Sequence, residues 1–397
     1  MPMIRTWTAA LGLGAALACA GAEEPSEPSG EERLTERHAV ALELIENVYR
    51  PRLLRLVEAA EVLDGEARRA HGATTDSGRF EPSAMRTAWL TVMNHVQELE
   101  VMHIGPAASS LGRKGGEDLR DGLYSWPLTN PCRVDQVLVS GIYAQEDFRG
   151  RVMANVVGLD ALEQLLFREH DEHTCPPQLP IETEGQWDAL GATGRAQARA
   201  DYSLALTGAL LDDAQTLLNR WSPEGEDFLA QARSPGADSV FATPQCVLDE
   251  LFAAMYHLDL VTKDKRLAVP TGLSPDCTQA TCANKLEFQL ALQSGLSVQA
   301  NLAGMAALFS GGDGRGFDAL LRAEGAEELA DELRAALDDA QTLARALEVD
   351  WAQLLRDDPQ ALRTLHGKVK ALTDLLKTQF ATVLNLSVPQ EGAGDND

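Results

Sequence analysis

Apolar residues recur every three or four positions along most of the chain, which is the spacing of amphipathic helices. The pattern is clearest near the carboxyl end, where one face would carry Leu362, Leu365, Val369, Leu372, Leu376, Phe380 and Val383. Helices are predicted over residues 35–63, 81–104, 146–168, 183–221, 244–260, 283–309, 325–347 and 358–386. The sequence therefore predicts an all-α protein.

Two halves of the chain share one arrangement. A long irregular crossover is predicted in each half, at residues 105–145 and 261–282. The helices that follow the crossovers also resemble each other, as ANVVGLDALEQLLF and ANLAGMAALFSG. We interpret this as two duplicated four-helix bundles, one over residues 36–235 and one over residues 236–397.

The amino terminus is typical of an export signal. Arg5 precedes the apolar stretch AALGLGAALA, which is too short to span a membrane, so residues 1–18 are predicted to be a signal peptide. Cys19 follows as a candidate lipidation site, and plain cleavage after Ala18 or Ala22 is the alternative. Residues 19–35 are rich in Pro, Ser, Gly and Glu and predict a disordered tether. The expected location is the cell envelope, with a lipid anchor or as a soluble periplasmic protein.

Cysteine spacing fits an oxidising compartment. Cys277 and Cys282 close a short loop and form the first predicted disulfide, and Cys132 with Cys175 forms the second. Cys246 would then have no partner. A structural zinc site is the competing interpretation, although the chain has neither the C-x-x-C spacing nor a following histidine pair.

The balance of charge selects among possible partners. The chain has 60 acidic and 34 basic residues and a formal net charge of −26. Such a surface repels phosphate backbones, so nucleic acid is a poor partner, and membrane contact is expected only through the lipid anchor. Cations, including metal ions, are the natural small partners, although acidity also serves solubility.

Two carboxylates interrupt the apolar stretch VVGLDALEQLLF. Asp160 and Glu163 are three residues apart, so a helix places them on the same face, where they could share a hard cation or a proton. Burial without a partner would be costly. The alternative to a binding site is that Arg133 or backbone amides of the crossover satisfy both groups.

Further candidate residues surround this pair. In the first crossover, Trp126 and Arg133 belong to SWPLTNPCRVD, which we expect to form one wall of a cleft. Ser294, Ser297 and Asn301 form a polar stripe on the equivalent helix of the second half, and simple helix packing is the alternative for both segments. His95 and Glu98 form a weaker metal candidate. Nucleotide-binding glycine loops, G-x-S-x-G and HExxH are absent from the sequence.

Four separated stretches resemble the imelysin family of bacterial envelope proteins: DGLYSWPLTNPCRVD, VVGLDALEQLLF, TKDKRLAVPTG and SGLSVQANLAGMAALFSG. The resemblance covers about residues 36–386. It implies two helical-bundle domains, export that is often followed by lipidation, a link to iron supply, and a metallopeptidase assignment. The family's metal motif, G-x-H-x-x-E, reads here Gly158-Leu159-Asp160-Ala161-Leu162-Glu163, with Asp160 in the position of the histidine.

These observations lead to three hypotheses. The first is an exported, non-catalytic protein that binds a divalent or ferric metal ion, or a small ligand linked to iron uptake, in a polar cleft between the bundles. The second is a metal-dependent peptidase of the imelysin type, for which Asp160 makes the ligand set poorer in nitrogen and less suited to zinc. The third is an interaction scaffold for an envelope transport partner, which would need an exposed apolar patch.

Overall fold

A computed structural model of the chain describes residues 30–169, 172–347 and 350–389. The α-helices are, in chain order, α1 (Gly30–Glu43), α2 (Arg50–Ser77), α3 (Ser83–Leu99), α4 (Pro131–Ser140), α5 (Phe148–Arg151), α6 (Gly158–Phe167), α7 (Pro180–Thr183), α8 (Gln186–Trp221), α9 (Phe228–Arg233), α10 (Pro244–Met255), α11 (Gly295–Ser310), α12 (Phe317–Ala323), α13 (Glu327–Ala346), α14 (Trp351–Asp357), α15 (Pro359–Leu375) and α16 (Ala381–Val383). Within these ranges there is no strand, so the all-α prediction is confirmed.

Wider and tighter helical segments connect several of these helices. Segments of π-helix cover Leu44–Tyr49, Leu258–Ala268 and Leu376–Phe380. Short 3-10 helices cover Glu100–Met102, Gly105–Ala107, Leu119–Gly122, Ile142–Ala144, Ala154–Val156 and Ala283–Lys285. The first π segment joins α1 to α2, and the second begins two residues after the end of α10.

Two sets of four helices each close into a bundle. In the first set, α2 packs against α3 and α8, and α6 packs against the same two helices. In the second set, the π segment Leu258–Ala268 packs against α11 and α15, and α13 packs against the same two. This arrangement confirms the predicted duplication of a four-helix bundle.

The two bundles are not separate in their packing. The helix α3 also packs against α11, and α1 packs against α10 and α12 of the second half. One continuous cluster of buried apolar side chains runs from Val40 to Leu386. The division at residues 235 and 236 stays a prediction.

The amino-terminal predictions fall mostly outside the described residues. The signal peptide, Cys19 and tether residues 19–29 lie there. Residues 30–35 are part of α1, so the helical region begins earlier than the predicted residue 36. No helix in the described part of the chain is long and apolar enough to cross a membrane.

Five predicted elements are wrong in their bounds. The helix predicted over 35–63 continues to Ser77, and the irregular crossover predicted over 105–145 contains α4. The helix predicted over 146–168 is helical as one piece only from Gly158, and residues 148–156 form two short helices. The crossover predicted from 261 is helical up to Ala268. The helix predicted from 283 begins at Gly295, because Phe288 and Leu292 have positive φ angles of 52° and 55°, which a helix cannot contain.

Both predicted disulfides are present. Cys132 joins Cys175 with a Cα–Cα distance of 4.5 Å, and Cys277 joins Cys282 at 5.8 Å. Cys246 is a free, partly buried thiol, as the pairing of the other four required.

Candidate functional site

A tight backbone contact positions the carboxylate pair. Gly158 begins α6 with a φ angle of 71°, and a Cβ atom there would lie 2.7 Å from the carbonyl oxygen of Leu123. The Leu159 amide donates to that same oxygen at 3.0 Å. Only glycine permits this approach, which brings the first turn of α6 against the segment that contains Ser125. Gly158, the first residue of the motif that ends at Glu163, therefore positions both carboxylates.

Asp160 lies on the first turn of α6 and is 5% exposed. Its Oδ2 accepts hydrogen bonds from the Ser125 amide at 2.6 Å and from the Ser125 hydroxyl at 3.2 Å. Burial raises the pKa of Asp160 to about 6, against the lowering effect of the bonds from Ser125, and the charge of Glu287 raises it further. Asp160 is thus mostly ionised at neutral pH.

Glu163 reaches across to the second half of the chain. Its Oε1 accepts hydrogen bonds from the amides of Leu290 and Ala291 at 3.2 and 3.1 Å. Burial raises the pKa of Glu163 to about 8, and the charge of Asp160 adds to that effect. Backbone amides of the first crossover and of the irregular segment before α11 therefore satisfy one oxygen of each carboxyl group. No hydrogen bond to the other oxygens, Asp160 Oδ1 and Glu163 Oε2, occurs within the described ranges.

Both carboxyl groups line a cleft of about 760 Å³. One wall comes from the first half, including Trp126 and Pro127, and the opposite wall comes from residues 265–290 of the second half. The lining is mixed in character: it contains Trp126, Phe288 and Leu290 as well as the exposed Lys265 and Lys285. A cavity of this size with a few polar groups among apolar ones is typical of small-ligand sites.

Behind the Trp126 wall lies a buried charge network that the sequence did not reveal. The Arg266 Nε is 2.7 Å from Glu287 Oε2, and an Arg266 amino group donates to Asn301 Oδ1 at 2.6 Å. Tyr124 donates its hydroxyl hydrogen to Glu287 in a short hydrogen bond. The Arg266 guanidinium also lies 5.5 Å from the Trp126 ring centre, so the network supports the cleft wall.

The network continues to a second carboxylate. A ring nitrogen of His257 lies 3.0 Å from Arg266, and its other ring nitrogen is 3.4 Å from Glu100. Arg120 donates two hydrogen bonds to Glu100, each at 2.9 Å. The stretch TKDKR, residues 262–266, could have indicated this cluster. Charged residues that follow one another between apolar residues need charged or polar partners if they are buried.

The other predicted site residues have different surroundings. Ser294 donates to the carbonyl oxygen of Glu287 at 2.6 Å, and Asn301 binds Arg266, so both support the network rather than the cleft. Ser297 is fully buried, and its hydroxyl has no partner among the residues that the structure describes. Arg133 is exposed and donates to Gln136, so the prediction that it satisfies the carboxylates is wrong.

The weaker metal candidate lies elsewhere. Glu98 accepts from Asn94 at 3.0 Å and is 3.3 Å from Arg52, and neither His95 nor Glu98 lines the cleft. No group of three or more His, Cys, Asp or Glu side chains is placed to hold a metal ion in residues 30–169, 172–347 and 350–389. A metal at Asp160 and Glu163 would thus have two protein carboxylates, both oxygen donors, which fit a hard cation rather than zinc.

The raised pKa values predict how stability depends on pH. The folded protein holds protons on Asp160 and Glu163 that the unfolded chain releases near pH 4. The contribution of these bound protons to the free energy of unfolding is fully present below pH 4. It is lost as the pH rises through about 6 for Asp160 and about 8 for Glu163. Urea unfolding should give a free energy of unfolding that is lower at pH 8.5 than at pH 5, by on the order of a few kcal/mol from these two groups.

The matched variants isolate that contribution. Asp160→Asn/Glu163→Gln should flatten the decline, whereas Glu58→Gln/Glu61→Gln, which changes an exposed pair with the same spacing on α2, should leave it unchanged. Equal pH dependence in all three proteins would show that the cleft carboxyls titrate normally.

Comparison with known proteins identifies the chain's relatives. The sequence model of the imelysin family, described as peptidase M75, matches residues 45–379. An imelysin-like protein from Psychrobacter arcticum 273-4 superposes with a TM-score of 0.68 at 17% identity, covering 89% of this chain and 97% of that one. A candidate iron-regulated protein A precursor from Parabacteroides distasonis ATCC 8503 superposes with a TM-score of 0.63 at 15% identity, covering 92% and 96%.

None of the curated proteins matches the chain. The two structures share the fold over nearly their full lengths, and at these identities the likeness concerns the fold alone. The family match spans most of the chain, including the cleft carboxylates and the charge network. This protein therefore belongs to the imelysin family.

Proposed function

We propose that the protein is a non-catalytic binding protein of the cell envelope, which holds a hard metal cation, with iron as the candidate, as a complex with a small organic ligand. The observation that carries this proposal is the cleft of about 760 Å³ in which Asp160 and Glu163 each keep one oxygen outside the hydrogen bonds described above. Relatedness to a candidate iron-regulated precursor supports both the iron link and export.

The size of the cleft favours a complex over a bare ion. Two carboxylates provide two of about six positions around a hard cation, so the others must come from water or from a chelator. Six water molecules occupy about 180 Å³ at ~30 Å³ each, far less than the cleft offers. The aromatic and apolar wall made by Trp126, Phe288 and Leu290 would contact the organic part.

The charges of the lining fit such a complex as well. Asp160 and Glu163 would face the cation, while Lys265 and Lys285 lie among the same lining residues and would face the acidic groups of a chelator. The peptidase alternative has no comparable support, because the donor set of the cleft contains the carboxyl groups of Asp160, Glu163 and Asp276 and no imidazole in the described residues.

Replacing the carboxyl pair is expected to abolish cation binding without unfolding the protein. Asp160→Asn/Glu163→Gln keeps shape and backbone hydrogen bonds but removes both negative charges. Calorimetry with ferric citrate, anaerobic ferrous ion and citrate alone should show binding of a metal-containing probe to the wild-type chain. The affinity should fall roughly 100-fold or more in the variant, since each charge-assisted contact contributes ~1.5–3 kcal/mol.

The pH dependence provides a second readout of the same site. Binding of a cation must displace the proton from Glu163, so affinity should rise between pH 6 and pH 8 in the wild-type chain. Glu58→Gln/Glu61→Gln serves as the matched control and should bind like wild type. Undiminished binding by Asp160→Asn/Glu163→Gln, or no metal-dependent heat with any probe, would refute the proposal.

A further inference from the structure

A second cavity lies beside the cleft and has a different chemistry. It measures about 350 Å³ and shares Trp126 and Lys265 with the cleft. Its remaining walls come from residues 100–121 of the first half and from residues 253–266 and Pro389 of the second. Neither Asp160 nor Glu163 contributes to it.

The most unusual lining residue is His103. It is 8% exposed, and neither ring nitrogen has a hydrogen-bond partner within the described chain. The nearest charged group, Glu100 Oε1, lies 3.9 Å from Nε2, which is too long for a hydrogen bond. A buried imidazole without partners costs about 1–3 kcal/mol. The cavity is the place from which a bound molecule could supply the missing partner.

The charges around His103 oppose a metal ion. Burial lowers the pKa of His103 to about 4; the charge of Glu100 acts against this lowering and the guanidinium groups of Arg120 and Arg113 add to it, so the ring is neutral at pH 7. A cation bound to the ring would be repelled by the same guanidinium groups, and the Glu100 carboxylate is already paired with Arg120. A neutral imidazole can instead donate one ring N–H to an acceptor.

One basic residue of the lining is available to an anion. The lining contains four basic residues, Arg113, Arg120, Lys265 and Arg266, and three acidic ones, Glu100, Asp118 and Asp121. Arg113, Arg120 and Arg266 already bind Glu250, Glu100 and Glu287, whereas Lys265 is exposed and has no ion pair in the part of the chain that the structure describes. Lys265 is therefore the lining cation that can pair with an anion.

We propose that this second cavity binds a small oxyanion, a carboxylate or a phosphate, which accepts a hydrogen bond from His103 and pairs with Lys265. The cavity holds the volume of about twelve water molecules at ~30 Å³ each, which suits a small acid and excludes a polymer. The site is separate from the metal complex proposed for the cleft, although the shared Trp126 and Lys265 make the two sites neighbours.

Calorimetry on the full chain at pH 7, with inorganic phosphate, acetate and citrate as separate probes, tests the proposal. Binding of phosphate alone would identify a phosphate site, and binding of acetate or citrate a carboxylate site. His103→Leu fills the same space without a donor and should weaken binding roughly tenfold, the equivalent of one hydrogen bond. His103→Gln retains a donor and should stay within about threefold of wild type.

Two further variants test the role of Lys265, which lines both cavities, and the independence of this site from the cleft carboxylates. Lys265→Gln is an exposed change that should leave folding intact and also weaken binding of the oxyanion. Asp160→Asn/Glu163→Gln should leave the affinity for phosphate or acetate unchanged, even if all metal binding is lost. The inference is overturned if no probe binds, or if either His103→Leu or Lys265→Gln binds as wild type does.

Discussion

Replacing Arg266 by methionine is expected to lower the free energy of unfolding by about 3–5 kcal/mol, because the change leaves a buried carboxylate without its partner. Arg266 and Glu287 are 3% and 2% exposed and form an ion-pair contact at 2.7 Å and a hydrogen bond at 2.9 Å. After the change, Glu287 would keep only the hydroxyl of Tyr124 as a side-chain partner among those described.

Urea unfolding of three proteins distinguishes this mechanism from general damage. Arg266→Met/Glu287→Gln removes both charges and should recover most of the loss. Arg315→Met, which breaks an exposed pair with Glu43 at 2.7 Å, should cost less than about 1 kcal/mol. If Arg266→Met costs no more than Arg315→Met, the network contributes no more than a surface ion pair.

Loss of the Cys132–Cys175 disulfide is expected to lower the free energy of unfolding by about 4 kcal/mol. The loop that it closes spans 43 residues, and in the chain-entropy account a longer loop gives a larger stabilisation. The Cys277–Cys282 disulfide closes a loop of 5 residues and should contribute about 2 kcal/mol. Chemical denaturation of Cys132→Ser/Cys175→Ser and of Cys277→Ser/Cys282→Ser compares the two.

The longer disulfide should also affect the cleft. It joins the first turn of α4 to the residue after Thr174, and Thr174 lines the cleft. Asp135 of α4 accepts hydrogen bonds from the Thr174 amide and hydroxyl, both at 2.7 Å, so the same wall has a second attachment. Stability should therefore fall more than ligand affinity. Equal losses of stability in the two double variants would contradict the loop-length argument.

Local periodicity was sufficient for much of the fold. The helix α13 lies within two residues of its predicted bounds, and α15 does so within three residues when the π segment Leu376–Phe380 and α16 that continue it are included. The start of α6 could not be predicted in this way, because the positive φ of Gly158 depends on its contact with Leu123, which lies far away in the sequence. The apolar spacing before Gly158 resembled that of a helix, but the contact of Gly158 with Leu123 interrupts the continuous helix that was predicted there.

The candidate site shows the same limit. The spacing of Asp160 and Glu163 indicated a shared helix face, and the apolar surroundings indicated burial, both as observed. Their partners, the amides of Ser125, Leu290 and Ala291, lie 35 to 128 residues away, and a backbone amide has no signature in a sequence. Similarly, the charges in TKDKR resembled a surface loop, because Glu287 and Asn301, the partners of Arg266, follow only later in the chain.

The position of α3 in both bundles has a consequence for the exchange of ligand. Because α3 packs against α2 and α6 on one side and α11 on the other, the two halves cannot swing apart as hinged lobes without exposing their common core. Entry and release must then proceed through local opening of the irregular segments around Trp126 and Phe288. The rate of this local opening should determine how long the ligand stays bound. Amide hydrogen exchange at these segments should report that opening, whereas the overall dimensions of the protein should not change.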